Sequence, residues 1–180
     1  MADDKQIIGA GRFTRLVSVA GWEYVERTNA SGIVIIIAVT PEGRLLMVEQ
    51  LRPPVGARVV ELPAGLAGDL ADAADEPLAE AARRELVEET GWDAAHMTRV
   101  AHGPLSAGLT SEVVTVFRAD GLTRVGEGGG DESEDIVVHE VPFGEVPAFL
   151  RAREAAGALV DPKVYAALWF AGPGGGGSAA

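Results

Sequence analysis

The segment Arg84-Glu85-Leu86-Val87-Glu88-Glu89-Thr90-Gly91-Trp92 combines a helical pattern with a high concentration of acidic residues. Glu85, Glu88 and Glu89 stand at positions i, i+3 and i+4, a spacing that places all three on one face of a helix. Gly91 predicts the end of this helix, because glycine readily adopts the left-handed conformation that follows a last turn. The segment therefore predicts a helix whose final turns carry three neighbouring carboxylates.

These three carboxylates are electrostatically unfavourable unless a cation joins them. Like charges at i, i+4 destabilise a helix by about 0.2–0.5 kcal/mol, and the last turns already carry the negative end of the helix dipole. Arg83 and Arg84 offset part of the repulsion, but neither is expected to lie between the acids. A divalent cation would relieve it, and carboxylate oxygens favour Mg²⁺, Mn²⁺ or Ca²⁺. The cluster alone is also compatible with a solvated, charged helix face.

The segment before the helix favours the metal interpretation. Glu61-Leu62-Pro63-Ala64-Gly65 leads from a predicted strand toward the helix, and Gly65 permits a close approach of the backbone. A backbone carbonyl there would add an oxygen ligand. Asp75 and Glu76 are expected to cap the helix, and Pro77 suits its first turn. Glu85 and Glu89 flank the apolar stripe of the helix, so they are expected to point toward the protein body.

The rest of the chain predicts an α/β fold. The apolar run 33–39 indicates a strand that is buried on both faces. Residues 11–28 indicate two strands that form an N-terminal hairpin-like extension. The other predicted strands are 44–50, 58–62, 98–102, 113–119 and 136–141, and the other predicted helices are 143–155 and 162–170. We expect a mixed β-sheet between helices (α/β/α), with an extension at 1–29, a domain at 30–171 and a flexible glycine-rich tail at 172–180.

Composition restricts the classes of function. The 180 residues include no cysteine, which excludes disulfides and thiolate metal sites. The formal net charge of −12 disfavours non-specific binding to nucleic acid, because phosphates would be repelled. The longest apolar run is too short to span a membrane, and the polar N-terminus is unlike a signal peptide. We therefore expect a cytoplasmic protein that needs a cation to act on any phosphate substrate.

With Glu76 eight residues before Arg84, the acidic segment resembles the Nudix box. The pattern of that family is glycine, five residues, glutamate, seven residues, and then Arg-Glu-apolar-x-Glu-Glu-x-Gly-apolar. Every fixed position from Glu76 onward matches. The leading glycine departs from the pattern, because Leu70 occupies its place and Gly65 lies eleven residues before Glu76. We interpret this as a five-residue insertion in a surface loop, which costs little free energy.

Features outside the box resemble the ADP-ribose pyrophosphatase branch of the family. They are Val48-Glu49-Gln50-Leu51-Arg52-Pro53, Val60-Glu61-Leu62-Pro63-Ala64-Gly65, Trp22-Glu23-Tyr24-Val25-x-Arg27 and the segment 106–112. Ala107 stands where that branch usually has proline. The resemblance implies a homodimer in which the N-terminal strands exchange or pack across the interface, and in which an aromatic residue there stacks on adenine.

The resemblance also implies the roles of individual residues. Glu85, Glu88, Glu89 and the Ala64 carbonyl are expected to hold two or more Mg²⁺ or Mn²⁺ ions. The acidic run 131–135 follows the glycine tract 128–130, which would supply the mobility of a closing loop. In that run Glu132 is the expected general base and Glu134 an accessory metal ligand. Glu132, Glu89 and Arg84 are the predicted catalytic residues, and Arg84 is expected to orient the glutamates by ion pairing.

Four further residues are expected to contact substrate. Arg52 would clamp a phosphate, because a guanidinium group matches phosphate oxygens. Glu112 would bind a ribose hydroxyl or a further metal ion, and Arg27 and Trp22 would contact the base. The three histidines, His96, His102 and His139, show no ligand spacing and are interpreted as structural.

The resemblance implies hydrolysis of the diphosphate bond in a nucleoside diphosphate sugar, with ADP-ribose giving AMP and ribose 5-phosphate. Two alternatives remain at this stage. One is a Nudix hydrolase of another nucleotide, such as GDP-mannose, a dinucleotide or a nucleoside triphosphate. The other is a non-catalytic module that binds ADP-ribose, although all the box glutamates are present. A calcium-binding loop at 131–135 is excluded, because the run lacks the glycine and terminal glutamate of an EF-hand.

Overall fold

The computed structural model describes residues 4–69, 74–130 and 135–172. The strands are β1 (Gln6–Ala10), β2 (Thr14–Val19), β3 (Trp22–Arg27), β4 (Gly32–Ala38), β5 (Arg44–Arg52), β6 (Ala57–Glu61), β7 (Ala64–Ala67), β8 (Trp92–Pro104), β9 (Val113–Arg124), β10 (Val137–Pro142) and β11 (Leu159–Val160). The helices are α1 (Leu78–Thr90), α2 (Val146–Ala155) and α3 (Lys163–Phe170). None of the helices in the described part of the chain is long and apolar enough to cross a membrane.

The N-terminal strands form a separate antiparallel sheet in the order β1-β2-β3. The predicted pair is confirmed as β2 and β3, while β1 was not predicted. The hairpin turn uses Ala20 and Gly21, both at positive φ. The sheet joins the body through β3, where the Val25 N–H donates to the Leu109 carbonyl and the Ser111 N–H donates to the Val25 carbonyl. This contact brings β3 against the loop that precedes β9.

The predicted α/β class is confirmed, with the strands of the body divided between two four-stranded sheets. Their orders are β7-β4-β9-β8 and β10-β5-β6-β11. The first is mixed, because β4 runs parallel to β9 and antiparallel to β7. Helix α1 covers one side of the body, and α2 and α3 cover the other.

Strand β4 is buried on both faces, as its continuous apolar sequence predicted. Val34 and Ile36 belong to the core that includes Leu86 of α1. Ile35 and Ile37 belong to the core that includes Leu150 of α2. Full burial of one such side chain stabilises the fold by roughly 1.5–3 kcal/mol. Strand β4 therefore holds the two helical layers in a fixed relation to each other.

Helix α1 ends as predicted but begins differently. Gly91 has φ 72° and its N–H donates to the Val87 carbonyl, which terminates the helix. At the other end, Pro77 occupies the cap position and no side chain caps the helix. The expected capping role of Asp75 and Glu76 is therefore wrong. The Glu76 carboxylate accepts hydrogen bonds from Arg84 instead.

Strand β7 was not predicted, and it positions the backbone next to α1. Its register with β4 pairs Gly65 with Val34 and Ala64 with Ile35. The sequence there indicated only the end of the preceding strand, since glycine and alanine are poor strand formers. Strand β8 is also longer than the predicted 98–102, because its two ends extend the pairing with β9. The tail prediction for 172–180 lies outside the described residues from 173 onward.

Candidate active site

Two glutamates of α1 are fixed against β7. The Ala64 N–H donates a 3.0 Å hydrogen bond to Glu89 Oε2, and Glu89 is 4% exposed. A Cβ atom at Gly65 would lie only 1.9 Å from Glu85 Cδ. The predicted close approach at Gly65 is therefore present, and it leaves room for the Glu85 side chain. Because both carboxylates point inward, the helix face is not a simple solvated surface.

The three box glutamates differ in their environment. The Glu85 side chain is 13% exposed, whereas that of Glu88 is 52% exposed. Burial raises the pKa of Glu85 to about 7, although the nearby Arg84 guanidinium opposes this effect, and the charges of Glu88 and Asp69 add to the rise. Burial disfavours the charged form of this carboxyl, and a cation close to it would stabilise that charged form.

Arg84 lies between the acids, so the expectation that it would not is wrong. Its Nη1 donates to Glu85 Oε1 at 2.9 Å and to Glu88 Oε2 at 3.1 Å. Its Nε and Nη2 donate to the two oxygens of Glu76, and Nη2 also donates to the Leu66 carbonyl at 2.9 Å. These contacts support the predicted orienting role of Arg84, and they add Glu76 as a residue that fixes Arg84. The eight-residue spacing between Glu76 and Arg84 was the available signal for that pair.

The donor set suits a hard divalent cation. Glu85, Glu88, Glu89 and the Ala64 carbonyl offer only oxygen atoms, which Mg²⁺ and Mn²⁺ prefer. Within residues 4–69, 74–130 and 135–172, no three acidic or histidine side chains converge closely enough to form a ligand cluster. The guanidinium of Arg84 bridges Glu85 and Glu88 at this place. The oxygen ligands of this site are therefore of the type that binds a divalent cation. The guanidinium group of Arg84 lies between the carboxylates of Glu85 and Glu88.

Replacement of Arg84 by lysine should lower turnover by about 10- to 100-fold, the usual effect of losing a residue that orients ligands. Lysine keeps the charge but cannot supply a fork that reaches Glu76 and Glu85 together. The measurement is kcat at saturating substrate and metal. The matched control is Arg83→Lys, because Arg83 is next in sequence but pairs with Asp93 away from the glutamates. Equal rates for both variants would contradict the orienting role.

A second group of predicted residues lies beside a cavity of about 240 Å³. Arg27 Nε donates to Glu112 Oε1 at 2.8 Å, although 85 residues separate the two in sequence. Both residues line the cavity, together with Ser31 and Ser111. Trp22 stands at the opposite end of β3 from Arg27 and is 66% exposed. The structure therefore brings Arg27 and Glu112 together and leaves Trp22 outside this cavity.

Arg52 stands at the end of β5, where its Nε donates to Glu61 Oε2 at 2.7 Å. The Arg52 side chain is 43% exposed, so a phosphate can reach it from solvent. Sequence reasoning did not identify Glu61 as its partner. Residues 52 and 61 lie on the same face of the paired strands β5 and β6, four positions apart in the register, and the long side chain of Arg52 spans this separation.

The predicted base Glu132 and the predicted ligand Glu134 lie outside the described residues. The structure does describe the glycine tract 128–130 that precedes them. The backbone conformation and close contacts of this tract require glycine, independently of any mobility. Gly128, Gly129 and Gly130 all have positive φ. The N–H groups of Gly129 and Gly130 donate to the carbonyls of Glu89 and Glu88. A Cβ atom at Gly128 would lie 2.4 Å from the Thr90 carbonyl carbon, so the tract is docked on the end of α1.

Known proteins share the sequence pattern and the fold of this chain. The NUDIX domain matches residues 29–168. The chain therefore belongs to the Nudix family, and it is a Nudix hydrolase. The family resemblance that was read from the acidic segment is confirmed.

Individual relatives agree on the chemistry and differ in substrate. An ADP-ribose pyrophosphatase of Bacillus subtilis (strain 168) is 37% identical over 77% of this chain and 71% of its own length. A GDP-mannose pyrophosphatase of Yersinia enterocolitica is 30% identical over 83% of this chain and 76% of its own length. A crystal structure of an ADP compounds hydrolase aligns with a TM-score of 0.69 over 96% of this chain and 94% of that chain. At 20% identity this last match shows the shared fold.

Proposed function

We propose that this Nudix hydrolase cleaves the diphosphate bond of a nucleoside diphosphate sugar, with ADP-ribose as the preferred substrate and Mg²⁺ or Mn²⁺ as the cofactor. The observation that carries the proposal is the pair of inward-facing carboxylates, Glu85 and Glu89, held against β7 beside Arg84. The 37% identical ADP-ribose pyrophosphatase supports the choice of substrate. The products from ADP-ribose are AMP and ribose 5-phosphate.

The reaction adds the oxygen of water to one phosphorus and breaks the bond from that phosphorus to the bridging oxygen. Glu85, Glu88, Glu89 and the Ala64 carbonyl would hold two or more cations, with Glu134 as an accessory ligand. When bound, such cations neutralise the diphosphate and lower the pKa of a water molecule. Glu132 accepts the proton of the attacking water as general base. The monophosphate that leaves takes the bridging oxygen with it.

The chain's own contacts prepare its groups for this reaction. The Ala64 N–H fixes one oxygen of Glu89, so the carboxylate needs little rearrangement before substrate arrives. Arg84 restrains Glu85 and Glu88 through Nη1. It thereby contributes to catalysis through the ligands it orients.

In this proposal the substrate is recognised at two places, one at Arg52 and the other at Arg27. Arg52 contacts a phosphate through its guanidinium group, since its side chain is open to solvent. Arg27 contacts the base end, and Glu112 binds a ribose hydroxyl or a further metal ion beside the same cavity. Trp22 contacts the base only in a dimer, because it lies away from the cavity of its own chain.

The N-terminal extension, residues 1–29, forms a homodimer interface in this proposal. The β1-β2-β3 sheet carries several large apolar side chains that are exposed in the single chain, namely Ile7, Ile8, Phe13, Leu16 and Trp22. Exposed large apolar side chains that are concentrated in one small sheet favour a protein–protein interface. The proposal includes a hydrolase domain at 30–171 and a cytoplasmic location.

GDP-mannose is the second candidate substrate, because a GDP-mannose pyrophosphatase is 30% identical over most of the chain. The box residues act on the diphosphate that ADP-ribose and GDP-mannose have in common, so they do not discriminate between these two substrates. The choice depends on the groups that contact the base and the sugar, such as Arg27 and Glu112.

A product assay on a substrate panel tests the proposal. The panel contains ADP-ribose, ADP-glucose, GDP-mannose, a diadenosine polyphosphate and a nucleoside triphosphate, each with millimolar Mg²⁺, with Mn²⁺ or with a chelator. We expect AMP and ribose 5-phosphate to form fastest from ADP-ribose and only with metal. Faster cleavage of GDP-mannose than of ADP-ribose would make GDP-mannose the preferred substrate instead. Tight binding of ADP-ribose without products from any member would show a binding module instead of an enzyme.

A further inference from the structure

Strands β5 and β6 carry an arginine–glutamate pair whose carboxylate has no part in the proposed chemistry. Arg52 Nε donates to Glu61 Oε2 at 2.7 Å. The side chain of Glu61 is 14% exposed, whereas that of Arg52 is 43% exposed. A pair between two fully exposed side chains contributes little, because holding both in one geometry costs entropy. Here one partner is largely buried, so the carboxylate is a fixed acceptor for the more open guanidinium group.

The strand register shows in which direction the Arg52 side chain runs. Ala57 is opposite Arg52, and Val48 is opposite Glu61. Arg52 and Glu61 are therefore offset by four positions, which is roughly 13 Å along the strands. Because both residues lie on one face of the pair, the Arg52 side chain must extend along this face to reach Glu61. It points away from the start of β6 and toward its end.

This direction leads toward the proposed metal site. Glu61 is the last residue of β6, and the N–H of Ala64, three residues later, donates to Glu89. The face of β5 that carries Arg52 also carries Leu46, because side chains alternate along a strand. Leu46 belongs to the core that α1 covers. The Arg52 guanidinium group is therefore held on the side of the sheet that bears the box glutamates.

The bond to Glu61 engages only part of the guanidinium group. Within the residues that the structure describes, the Arg52 side chain makes this one hydrogen bond, and it does so through Nε. Nη1 and Nη2 remain as donors in a planar group that matches the oxygens of a phosphate. A side chain that is already held in one conformation loses less freedom when it binds a ligand. The carboxylate therefore prepares Arg52 for a phosphate.

We propose that Glu61 is a positioning residue for substrate binding, which holds the guanidinium group of Arg52 toward the Ala64 end of the site. This rests on the proposed function, in which Arg52 contacts a phosphate of the substrate. Glu61 acts through Arg52 and does not touch the substrate, because a carboxylate repels a phosphate. Its charge alone would weaken substrate binding, whereas its contact with Arg52 strengthens it. These opposite signs allow the two effects to be separated by experiment.

Two substitutions at Glu61 separate the length of the side chain from its charge. Glu61→Asp keeps the charge but removes one methylene group, so the carboxylate no longer reaches Arg52 across the offset. Glu61→Gln keeps the length and an oxygen that can accept the Arg52 N–H, but it removes the charge. Arg52→Met and the double variant of Arg52→Met with Glu61→Asp complete a mutant cycle. The matched control is Glu140→Asp, which shortens the carboxylate partner of Arg124 in β10.

The measurements are KM, kcat and the thermal midpoint, with the panel member that the unmodified enzyme cleaves fastest. We expect Glu61→Asp to raise KM about three- to tenfold, because one long side chain is no longer ordered before binding. Its kcat should stay within about twofold, as for the loss of uniform binding. Glu61→Gln and the control should keep KM within about twofold. The double variant should have a KM no higher than Arg52→Met, because Glu61 acts only through Arg52.

An unchanged KM in Glu61→Asp would overturn the inference, and a lowered thermal midpoint with that KM would assign the pair to stability alone. An equal rise of KM in Glu61→Gln or in the control, or losses that multiply in the double variant, would also overturn it. So would a normal KM in Arg52→Met. All of these results leave diphosphate hydrolysis intact, whereas failure of the unmodified enzyme to cleave any panel member would overturn the proposed function as well.

Discussion

Replacement of Glu89 by glutamine should remove at least 99% of the hydrolytic activity (roughly a 100-fold loss) while the fold remains intact. Metal ions supply several kcal/mol of transition-state stabilisation, and each 1.36 kcal/mol is about a factor of ten in rate. Glutamine has nearly the same shape, and its carbonyl oxygen can still accept the Ala64 N–H. The change therefore removes a charge from the metal site without creating a cavity. The measurement is kcat, with thermal unfolding as the check on folding.

The matched control is Glu80→Gln on the same helix. Glu80 is exposed in the first turn of α1, so its replacement should leave kcat within about twofold, as is usual for surface substitutions. A folded Glu89→Gln variant with near-normal turnover would refute the assignment of Glu89 as a metal ligand. A variant that loses activity together with its cooperative unfolding would instead assign Glu89 a structural role through Ala64.

The sequence was most informative where local pattern decides structure. The apolar run of β4 predicted a strand buried on both faces, and the alternate residues Val34 and Ile35 do enter different cores. Gly91 predicted the end of α1, because one residue in the left-handed conformation terminates a helix irrespective of distant contacts. The position of Glu85 and Glu89 beside the apolar stripe of α1 likewise predicted that they point inward, since helix geometry alone relates those positions.

Features that depend on distant parts of the chain were missed or misread. The Ala64–Ala67 segment becomes β7 only because β4 lies alongside it, which no local propensity indicates. The glycine tract was interpreted as a source of mobility, and the close approach of Gly128 to Thr90 was not indicated by the sequence. Sequence reasoning placed Arg27 and Glu112 in one site from family resemblance, and the direct contact between them follows from the docking of β3 on the loop before β9.

The buried carboxylate of Glu49 is held by a network of Arg58, His139 and Arg153, which shows the same limit more strongly. Its members come from β5, β6, β10 and α2, so no spacing in the sequence relates them. A glutamate inside an apolar strand was the one available signal, because such a residue needs partners when it is buried. That signal indicates that partners exist and leaves their identity to the fold. The contact of His139 with Glu49 is compatible with the structural role expected for this histidine, and the sequence did not indicate the partner.

Replacement of Gly65 by alanine should nearly abolish turnover through its effect on Glu85. The new Cβ would lie 1.9 Å from Glu85 Cδ and 2.1 Å from Glu85 Oε1, so the two side chains cannot both occupy these positions. Gly65 does not have a positive φ, so alanine fits the backbone and the flexible glutamate must move. The loss of a metal ligand should lower kcat by about 100-fold or more and raise the metal concentration needed for activity. Overpacking of this kind costs stability by typically 1–3 kcal/mol.

The matched control for this variant is Gly103→Ala in β8, where a Cβ atom meets nothing within 4 Å and the φ is not positive. It should leave kcat and the metal requirement unchanged, because it adds the same methyl group without displacing a carboxylate. A Gly65→Ala enzyme with normal kcat and normal metal requirement would show that Glu85 acts equally well from another position. The inward placement of Glu85 would then be a consequence of packing, and Glu88 and Glu89 would be left as the box glutamates that bind the metal.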